Sequence, residues 1–176
     1  MVALQSMCVN FELTTRCNLS CRYCPRPSMI KSNLLTVKDM PFDVIDTIIQ
    51  QSVKLWPKLG FWPEGLGEPL LYNQLDSVIR LIKQHAPHAP VSIDTNGLLL
   101  AVNAEMLCRE LDNHDIVKVS INAGSSKTYH HMNRTNQYEQ VVRNIQDFIR
   151  IREISKHKPI LSIQLLESVQ NKQEIA

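Results

Sequence analysis

Three cysteines near the start of the chain are the residues best suited to chemistry. Cys17, Cys21 and Cys24 follow one another with C-x3-C-x2-C spacing. Thiolate is a soft ligand that suits iron–sulfur clusters, zinc and copper(I). A closed structural zinc site or an ordinary ferredoxin cluster takes four protein ligands, whereas this loop supplies three. Three thiolates on a cubane cluster would leave one iron with an open position, where a molecule other than protein can bind.

Further polar and glycine-containing stretches follow the cysteines along the chain. Residues 65–69 read Gly-Leu-Gly-Glu-Pro, residues 94–97 read Asp-Thr-Asn-Gly, and residues 120–124 read Ser-Ile-Asn-Ala-Gly. Glycines let the backbone approach a ligand without interference from a Cβ atom. Asn-Gly by itself is a turn signal, so the second stretch is explained equally well as a simple turn or as part of a functional site.

Each of these stretches follows a short run that predicts a β-strand, and amphipathic helical patterns lie between the runs. The predicted strands cover residues 8–15, 59–62, 91–95, 116–121 and 159–166. The predicted helices begin at Pro41, at an Asn73 N-cap with Asp76 three positions later, at 103, at 125 and at 138. Pro25 and Pro27 argue against regular structure directly behind the cysteines. Alternating strands and helices predict an α/β fold with parallel strands, whose functional groups lie at the carboxyl ends of the strands.

Length and composition predict one domain and exclude several function classes. The chain has 176 residues, enough for a single buried core. A net charge of +2 gives no reason to expect nucleic acid or an anionic membrane as a partner. No apolar run approaches the ~20 residues of a membrane helix, and the N-terminus does not resemble a secretory signal. Five cysteines, an odd number with three clustered, place the chain in a reducing cytoplasm.

The cysteine spacing, with aromatic Tyr23 just before the third cysteine, resembles the cluster loop of the radical S-adenosylmethionine (radical SAM) enzymes. Residues 65–69 resemble the Gly-Gly-Glu-Pro element of that family. The resemblance implies that Cys17, Cys21 and Cys24 are the catalytic metal ligands of a [4Fe–4S] cluster whose open iron binds S-adenosylmethionine. It also implies a partial (βα) barrel of six units. By this count residues 1–176 form one core domain with about five units, and the C-terminal part of the barrel is missing.

The same resemblance assigns cofactor contacts residue by residue. Tyr23 would pack beside the adenine, although an aromatic ring that shields the cluster from water is an equal alternative. The turn of residues 65–69 would hold the methionyl amino group, and the segment after the fourth strand would meet the ribose or the carboxylate. The assigned residues are Tyr23, Gly65, Gly67, Glu68, Pro69, Thr95, Ser120, Asn122 and Arg134.

The implied activity is the reductive cleavage of S-adenosylmethionine to a 5′-deoxyadenosyl radical that takes a hydrogen atom from a substrate. An external flavodoxin or ferredoxin would deliver the electron. The segment 120–124 followed by Tyr129 most resembles family members that modify peptides or proteins. A peptide or protein substrate is therefore expected, with a small metabolite or a glycyl-radical enzyme as alternatives. Because strand 160–166 would be an apolar edge, we also expect either further protein or an oligomer to cover it.

A rival hypothesis is a non-catalytic module that holds zinc or an iron–sulfur cluster in the same loop. His85 and His88 form an H-x2-H pattern that could complete a zinc site with two of the cysteines. Their position at the end of a helix has a simpler explanation, because histidine there favours the negative end of the helix dipole. Cys8 and Cys108 stand apart from the cluster and are expected to be small buried residues.

Overall fold

Five parallel strands in sequence order form the frame of the molecule, and a helical connection leads from each strand to the next. The computed structural model describes residues 7–174. The strands are β1 (Met7–Asn10), β2 (Leu59–Trp62), β3 (Ser92–Thr95), β4 (Ile116–Ser120) and β5 (Ile160–Gln164). The helices are α1 (Arg26–Lys31), α2 (Phe42–Leu55), α3 (Leu75–His85), α4 (Leu100–Glu110), α5 (Ser126–Asn133) and α6 (Tyr138–Ile154), with 3-10 turns at Pro69–Leu71 and Lys172–Glu174.

The strand pairing gives the order β1-β2-β3-β4-β5. β1 pairs with β2, and β3, β4 and β5 pair with one another, all in parallel. A parallel bridge between Phe61 and Val91 joins the two groups, and the Phe61 N–H donates to the Pro90 carbonyl at 2.8 Å. Within residues 7–174, β5 does not pair back to β1. The arrangement is therefore a partial barrel of βα units, as the alternation of elements predicts.

Alternate residues of the strands face the helices and form the core. Ile93 of β3 and Val117 and Val119 of β4 are fully buried and pack in one cluster with residues of the helices, including Ile79 and Phe148. Because side chains alternate along a strand, the residues between them point to the opposite side of the sheet. On that side Asp94 lies across from Lys118 in the β3–β4 pairing. The concave side of the sheet is therefore polar where the convex side is apolar.

Several predictions about local structure were wrong. Arg26–Lys31 is a short helix, because Pro27 stands in its first turn, where the missing N–H costs no hydrogen bond. α3 begins at Leu75 with Gln74 as its N-cap, so Asn73 does not cap it, and Asp76 accepts a hydrogen bond from the Ser77 N–H instead. The first and last strands are also shorter than the runs that predicted them.

Exposure to solvent agrees with the sequence-based expectations for Cys108 and for strand β5 but not for Cys8. Cys108 is buried in α4 as expected, whereas Cys8 is exposed on β1. The edge strand β5 exposes Ile160 and Ile163 to about 47% and 45%, which agrees with the expected apolar edge. Among the helices of residues 7–174, none has both the length and the apolar character that crossing a bilayer requires.

Candidate active site

A cleft of about 440 Å³ opens at the carboxyl ends of the strands and brings the polar stretches together. Every strand of the sheet contributes to it, either from its last residues or from the loop behind it. Its lining consists of Asn10, Cys17, Leu19, Cys21, Tyr23, Cys24, Glu64, Gly65, Leu66, Gly67, Glu68, Asp94, Thr95, Asn96, Ser120 and Gln164. Three thiols and a glycine-containing turn thus face one space, although they come from stretches far apart in the chain.

The cysteine loop is fastened to the end of α5. The backbone N–H of Arg22 donates to the Met132 carbonyl at 2.9 Å, and its guanidinium Nε donates to the His131 carbonyl at 2.7 Å. The thiol of Cys21 donates to Oδ1 of Asn133 at 3.2 Å. Asn133 is 2% exposed. The position of the cysteine loop therefore depends on a helix more than a hundred residues later, which cysteine spacing alone does not indicate.

Tyr23 has one end in the cleft and one end in a hydrogen-bond network. Its side chain is 40% exposed and lines the cleft. Its hydroxyl donates to Oδ1 of Asn133 at 2.9 Å and accepts from Nδ2 of Asn122 at 2.7 Å. Burial of the hydroxyl raises the pKa of Tyr23, and the neighbouring Cys21 raises it further. The ring is thus held at a fixed place beside the cysteines, as either a contact for a ligand or a shield would require.

Burial raises the pKa of the Cys17 and Cys21 thiols above the ordinary value for cysteine. A hydrogen bond from the Leu19 N–H to Cys17 Sγ at 3.4 Å acts in the opposite direction. Nδ2 of Asn96 lies 4.0 Å from the same sulfur. A bound metal cation reverses the cost of burying thiolates, because its charge compensates theirs. If ionised, these thiols would therefore need a positive charge close by.

The turn after β2 is packed against the backbone that leads into the cysteine loop. The carboxylate of Glu12 accepts hydrogen bonds from the backbone N–H groups of Leu66 and Gly67, the latter at 2.9 Å. A Cβ atom on Gly67 would overlap the carbonyl oxygen of Thr14 and lie 2.8 Å from that of Arg16. A glycine is needed here because two stretches of backbone meet, which is a different reason from the close approach of a ligand that the sequence suggested.

Glu68 lies at the end of the same turn and is almost completely buried, with 2% of its surface exposed. Its carboxylate accepts from the Thr95 hydroxyl at 2.7 Å and from the Asn96 N–H at 2.8 Å. The Leu70 N–H donates to it at 3.2 Å. Burial raises the pKa of Glu68, and these hydrogen bonds oppose that shift. The contacts show Glu68 tying the β2 turn to the end of β3.

The remaining assigned residues fall into two groups. Ser120 and Thr95 line the cleft, and the Ser120 hydroxyl lies 3.5 Å from Oε1 of Gln164. Pro69, Asn122 and Arg134 do not line it. Pro69 is buried at the start of a 3-10 turn, and Arg134 follows α5 as an exposed residue in the left-handed conformation, with φ 58°.

Asn122 is buried and holds other residues by hydrogen bonds instead of lining the cleft. It also has a left-handed backbone, with φ 55°, and is 3% exposed. Its amide joins Tyr23 on one side and the Leu166 N–H on the other, at 2.7 Å each. The side chain therefore connects the cysteine loop to the segment after β5 from behind the cleft wall.

Besides Leu19 and Leu66, five polar lining residues were not identified from the sequence as site residues: Asn10, Glu64, Asp94, Asn96 and Gln164. Asn96 was seen only as part of a turn, but its side chain donates to Oδ1 of Asn18 at 2.7 Å and so contacts the cysteine loop. Asp94 belongs to the same Asp-Thr-Asn-Gly stretch, whereas Asn10, Glu64 and Gln164 lie at or just behind strand ends and outside the stretches singled out from the sequence. The one available signal was position, since polar residues at the ends of predicted parallel strands share one edge of the sheet.

His85 and His88 do not take part in this cleft. They line a separate hollow of about 390 Å³, together with Val53, Pro57 and Ala89, at the amino-terminal edge of the sheet. The described lining of that hollow contains no cysteine. The geometry therefore gives no support to a zinc site shared between these histidines and the cysteine loop.

Three thiols and a glycine-containing turn meet at the strand ends of a partial βα barrel of the α/β class, and comparison with known proteins identifies the family. The model of the Radical SAM superfamily matches residues 11–155. The chain therefore belongs to the radical SAM superfamily, as the cysteine spacing and the glycine turn predicted. Its cofactors are accordingly a [4Fe–4S] cluster and S-adenosylmethionine.

Two curated relatives carry the same name. The GTP 3′,8-cyclase of Limosilactobacillus fermentum is 28% identical over 144 residues, which are 78% of this chain and 40% of the relative. That of Sulfurimonas denitrificans is 32% identical over 103 residues, 56% of this chain and 30% of the relative. The chain thus spans well under half the length of the relatives it matches.

Among solved structures, Streptococcus suis SuiB bound to its precursor peptide SuiA matches with a TM-score of 0.70 and 16% identity, covering 97% of this chain and 35% of SuiB. SuiB bound to S-adenosylmethionine matches with a TM-score of 0.66 and 15% identity over the same shares. At these identities the likeness concerns the fold. It confirms the partial-barrel architecture.

The residues of the cleft fit the cofactors of the family. Cys17, Cys21 and Cys24 all line it, and the three soft ligands leave one position open on a four-iron cluster. The Leu19 N–H beside Cys17 is of the kind that supports cluster thiolates. The cleft extends from the cysteines to the strand ends, so a second ligand can lie between them.

Proposed function

We propose that this chain is the catalytic core of a radical SAM enzyme, with Cys17, Cys21 and Cys24 as ligands of the [4Fe–4S] cluster. The observation that carries the proposal is that these three cysteines and the turn of residues 65–68 line one cleft. Cys17, Cys21 and Cys24 would hold the cluster, which with S-adenosylmethionine would supply reductive carbon–sulfur cleavage to methionine and a 5′-deoxyadenosyl radical able to take a hydrogen atom from the substrate.

The chain's own residues bind and orient the reactants. Tyr23, held by Asn122 and Asn133, supplies an aromatic surface beside the cysteines. The turn from Gly65 to Glu68 forms the opposite wall, and Ser120 offers a hydroxyl from the end of β4. A partly enclosed cleft excludes water, which protects a reactive radical from side reactions. The electron would come from a flavodoxin- or ferredoxin-type donor, and the protein would work in the cytoplasm.

Two substrate classes have separate support. The segment Ser120–Gly124 followed by Tyr129 favours a peptide or protein, as its resemblance to peptide-modifying members suggests. The two GTP 3′,8-cyclases favour a small metabolite. A peptide or protein remains our first candidate, because the described lining of the cleft contains no lysine or arginine to receive a triphosphate.

The test of the function is anaerobic reconstitution with iron and sulfide. A brown protein whose dithionite-reduced EPR signal changes with S-adenosylmethionine, and which forms 5′-deoxyadenosine, is the expected result. Cys21→Ala should lose the cluster signal and 5′-deoxyadenosine formation, whereas Cys8→Ala, at an exposed position outside the loop, should keep both. A colourless zinc protein indifferent to S-adenosylmethionine, or full cluster loading in Cys21→Ala, contradicts the proposal and supports the non-catalytic module.

A further inference from the structure

The cleft has a second chemical feature beyond the cysteines, at the floor formed by the concave side of the sheet. Glu64, two residues behind β2, and Asp94, on β3, both line it. Asn10 and Gln164 complete this part of the lining with neutral amides from β1 and β5. The four side chains come from four strands, so the parallel order of the sheet gathers them. The turn of residues 65–68 connects this floor to the wall of the cofactor site.

Asp94 already has a cationic partner. Nζ of Lys118 on β4 donates to its Oδ2 at 2.6 Å, and the Ser92 hydroxyl donates to its Oδ1 at 3.1 Å. Lys118 lies directly across from Asp94 in the parallel pairing of β3 and β4. Lys118, which lies beside the cleft but not in its lining, is therefore engaged, and its charge compensates that of Asp94 rather than that of Glu64.

Glu64 lacks such a partner among the residues that the structure describes. Nδ2 of Asn10 approaches its Oε1 at 3.4 Å, a long contact. Its Oε2 is buried and receives no hydrogen bond from any described donor. A buried carboxylate oxygen without a donor is costly, so such an oxygen calls for a ligand or a proton. Asp94 lines the same floor, so a proton on Glu64 lies near a second carboxylate that raises its affinity.

The proton affinity of Glu64 agrees with this arrangement. Burial raises its pKa to about 7, Asp94 raises it by hydrogen bonding and by charge, and Lys118 acts in the opposite direction. These are the charged groups that face Glu64 from β3 and β4, and Asn10 faces it from β1 as a neutral group. Near neutral pH the proton is therefore held loosely enough for a cation to displace it.

We propose that Glu64, supported by Asp94, is a substrate-binding residue that selects substrates presenting a protonated amine to the floor of this cleft. The inference rests on the proposed function, since it takes the cleft to be the active site. An ammonium group would donate to Oε2 of Glu64 and to the pair's remaining acceptor positions, and its charge would replace the proton of Glu64. A phosphate group would meet two carboxylates instead, which like-charge repulsion disfavours.

The test uses two probes of equal size, n-butylamine, protonated at neutral pH, and n-butanol. The reconstituted protein with its cluster oxidised and S-adenosylmethionine bound is titrated with each probe, and glutamate carboxyl carbons labelled with ¹³C report the ionisation of Glu64. We expect the amine to bind about tenfold more tightly than the alcohol, which corresponds to about 1.4 kcal/mol. Saturating amine should lower the pKa of Glu64, whereas the alcohol should leave it unchanged. The amine's affinity should also rise with pH until Glu64 is fully ionised.

Glu64→Gln is the informative variant, because it keeps the size of the side chain and imitates its protonated form. It should abolish both the preference for the amine and its pH dependence, whereas Glu105→Gln, exposed on α4, should keep both. Equal or undetectable binding of the two probes, or an unchanged preference in Glu64→Gln, overturns the proposal. So does GTP binding that Glu64→Gln weakens. These measurements need no turnover, so failure of the proposed function appears separately, as absence of 5′-deoxyadenosine.

Discussion

Glu64 and Glu68 lie four positions apart in the same turn, yet their surroundings are opposite. Glu68 accepts hydrogen bonds from the Thr95 hydroxyl and from two backbone N–H groups. Glu64 has one long contact with Asn10 and an oxygen that receives no hydrogen bond from any residue between 7 and 174. The first carboxylate joins two strand ends, and the second faces the floor of the cleft. The comparison teaches that burial alone does not assign a role to an acid, since the donors around it decide between structure and binding.

The largest effect should follow removal of the satisfied carboxylate. Glu68→Ala leaves the Thr95 hydroxyl and two N–H groups without a partner and opens a cavity beneath the cleft. We expect the free energy of unfolding to fall by about 3–5 kcal/mol, measured by urea denaturation. Glu105→Ala, on the exposed face of α4, should change it by less than about 0.5 kcal/mol. A loss equally small for Glu68→Ala would remove the structural half of the comparison.

The glycine between the two acids should be nearly as sensitive. Gly67→Ala places a Cβ atom against the Thr14 carbonyl oxygen, which is backbone and cannot turn away. We expect a loss of about 2–3 kcal/mol in thermal or urea unfolding. The matched control is Gly124→Ala, whose Cβ would meet only side-chain atoms of Glu174, the nearest being its Cβ at 3.1 Å, and should cost less than about 1 kcal/mol. Equal costs at the two glycines would show that the turn is not packed as described.

A smaller effect should follow removal of one hydrogen-bond donor from Glu68, which makes its surroundings more like those of Glu64. Thr95→Val keeps the shape of the side chain but removes the hydroxyl that donates to Glu68 at 2.7 Å. The expected loss of stability is about 1–2 kcal/mol. The pKa of Glu68 should rise further, since one hydrogen bond that lowers it is gone. The pH dependence of urea unfolding measures both. Stability unchanged across the pH range would mean that the hydroxyl contributes nothing to Glu68.

The smallest effect concerns Glu64 and has a distinctive pH dependence. Its folded-state pKa of about 7 lies above the ordinary 4.5, so the native state binds the extra proton between these values. The contribution of Glu64 to the free energy of unfolding therefore declines as pH rises from 4.5 to 7 and then levels off. Glu64→Gln should remove this decline, and after allowance for solvent screening the gain at pH 8 relative to pH 4 is on the order of 1 kcal/mol. Parallel pH profiles for the two proteins would show that Glu64 ionises normally.

Much of the fold follows from local patterns in the sequence. The alternation of apolar strands and amphipathic helices predicted all five strands, and α2 and α6 begin within one residue of the expected positions. The first residues of the helices were less predictable, because capping depends on which side chain reaches the free N–H groups of the first turn. Asn73 has the right chemistry for a cap but not the right place. The prediction of a further barrel unit, or of other protein against β5, remains a prediction.

The substrate prediction shows a similar limit. Because residues 120–124 resemble peptide-modifying members of the family, we expected a polypeptide substrate. The two curated relatives, however, are named GTP 3′,8-cyclases. The cysteine loop indicates the superfamily and its cofactors, and these are compatible with either kind of substrate. In our proposal, substrate choice depends instead on the floor of the cleft, where side chains from separate strands meet. A motif therefore reveals the cofactor more readily than the substrate.

The sequence by itself determined the chemistry of the cysteine loop and the parallel α/β class, because ligand spacing and strand–helix alternation are local properties. Only the tertiary structure decided which polar residues face the cleft. It placed Glu64 and Asp94 there and put Asn122 behind the wall, where it bonds to Tyr23. The physical reason is that the direction of a side chain and its hydrogen-bond partners depend on how β-strands distant in sequence pair. That pairing results from the packing of the whole core.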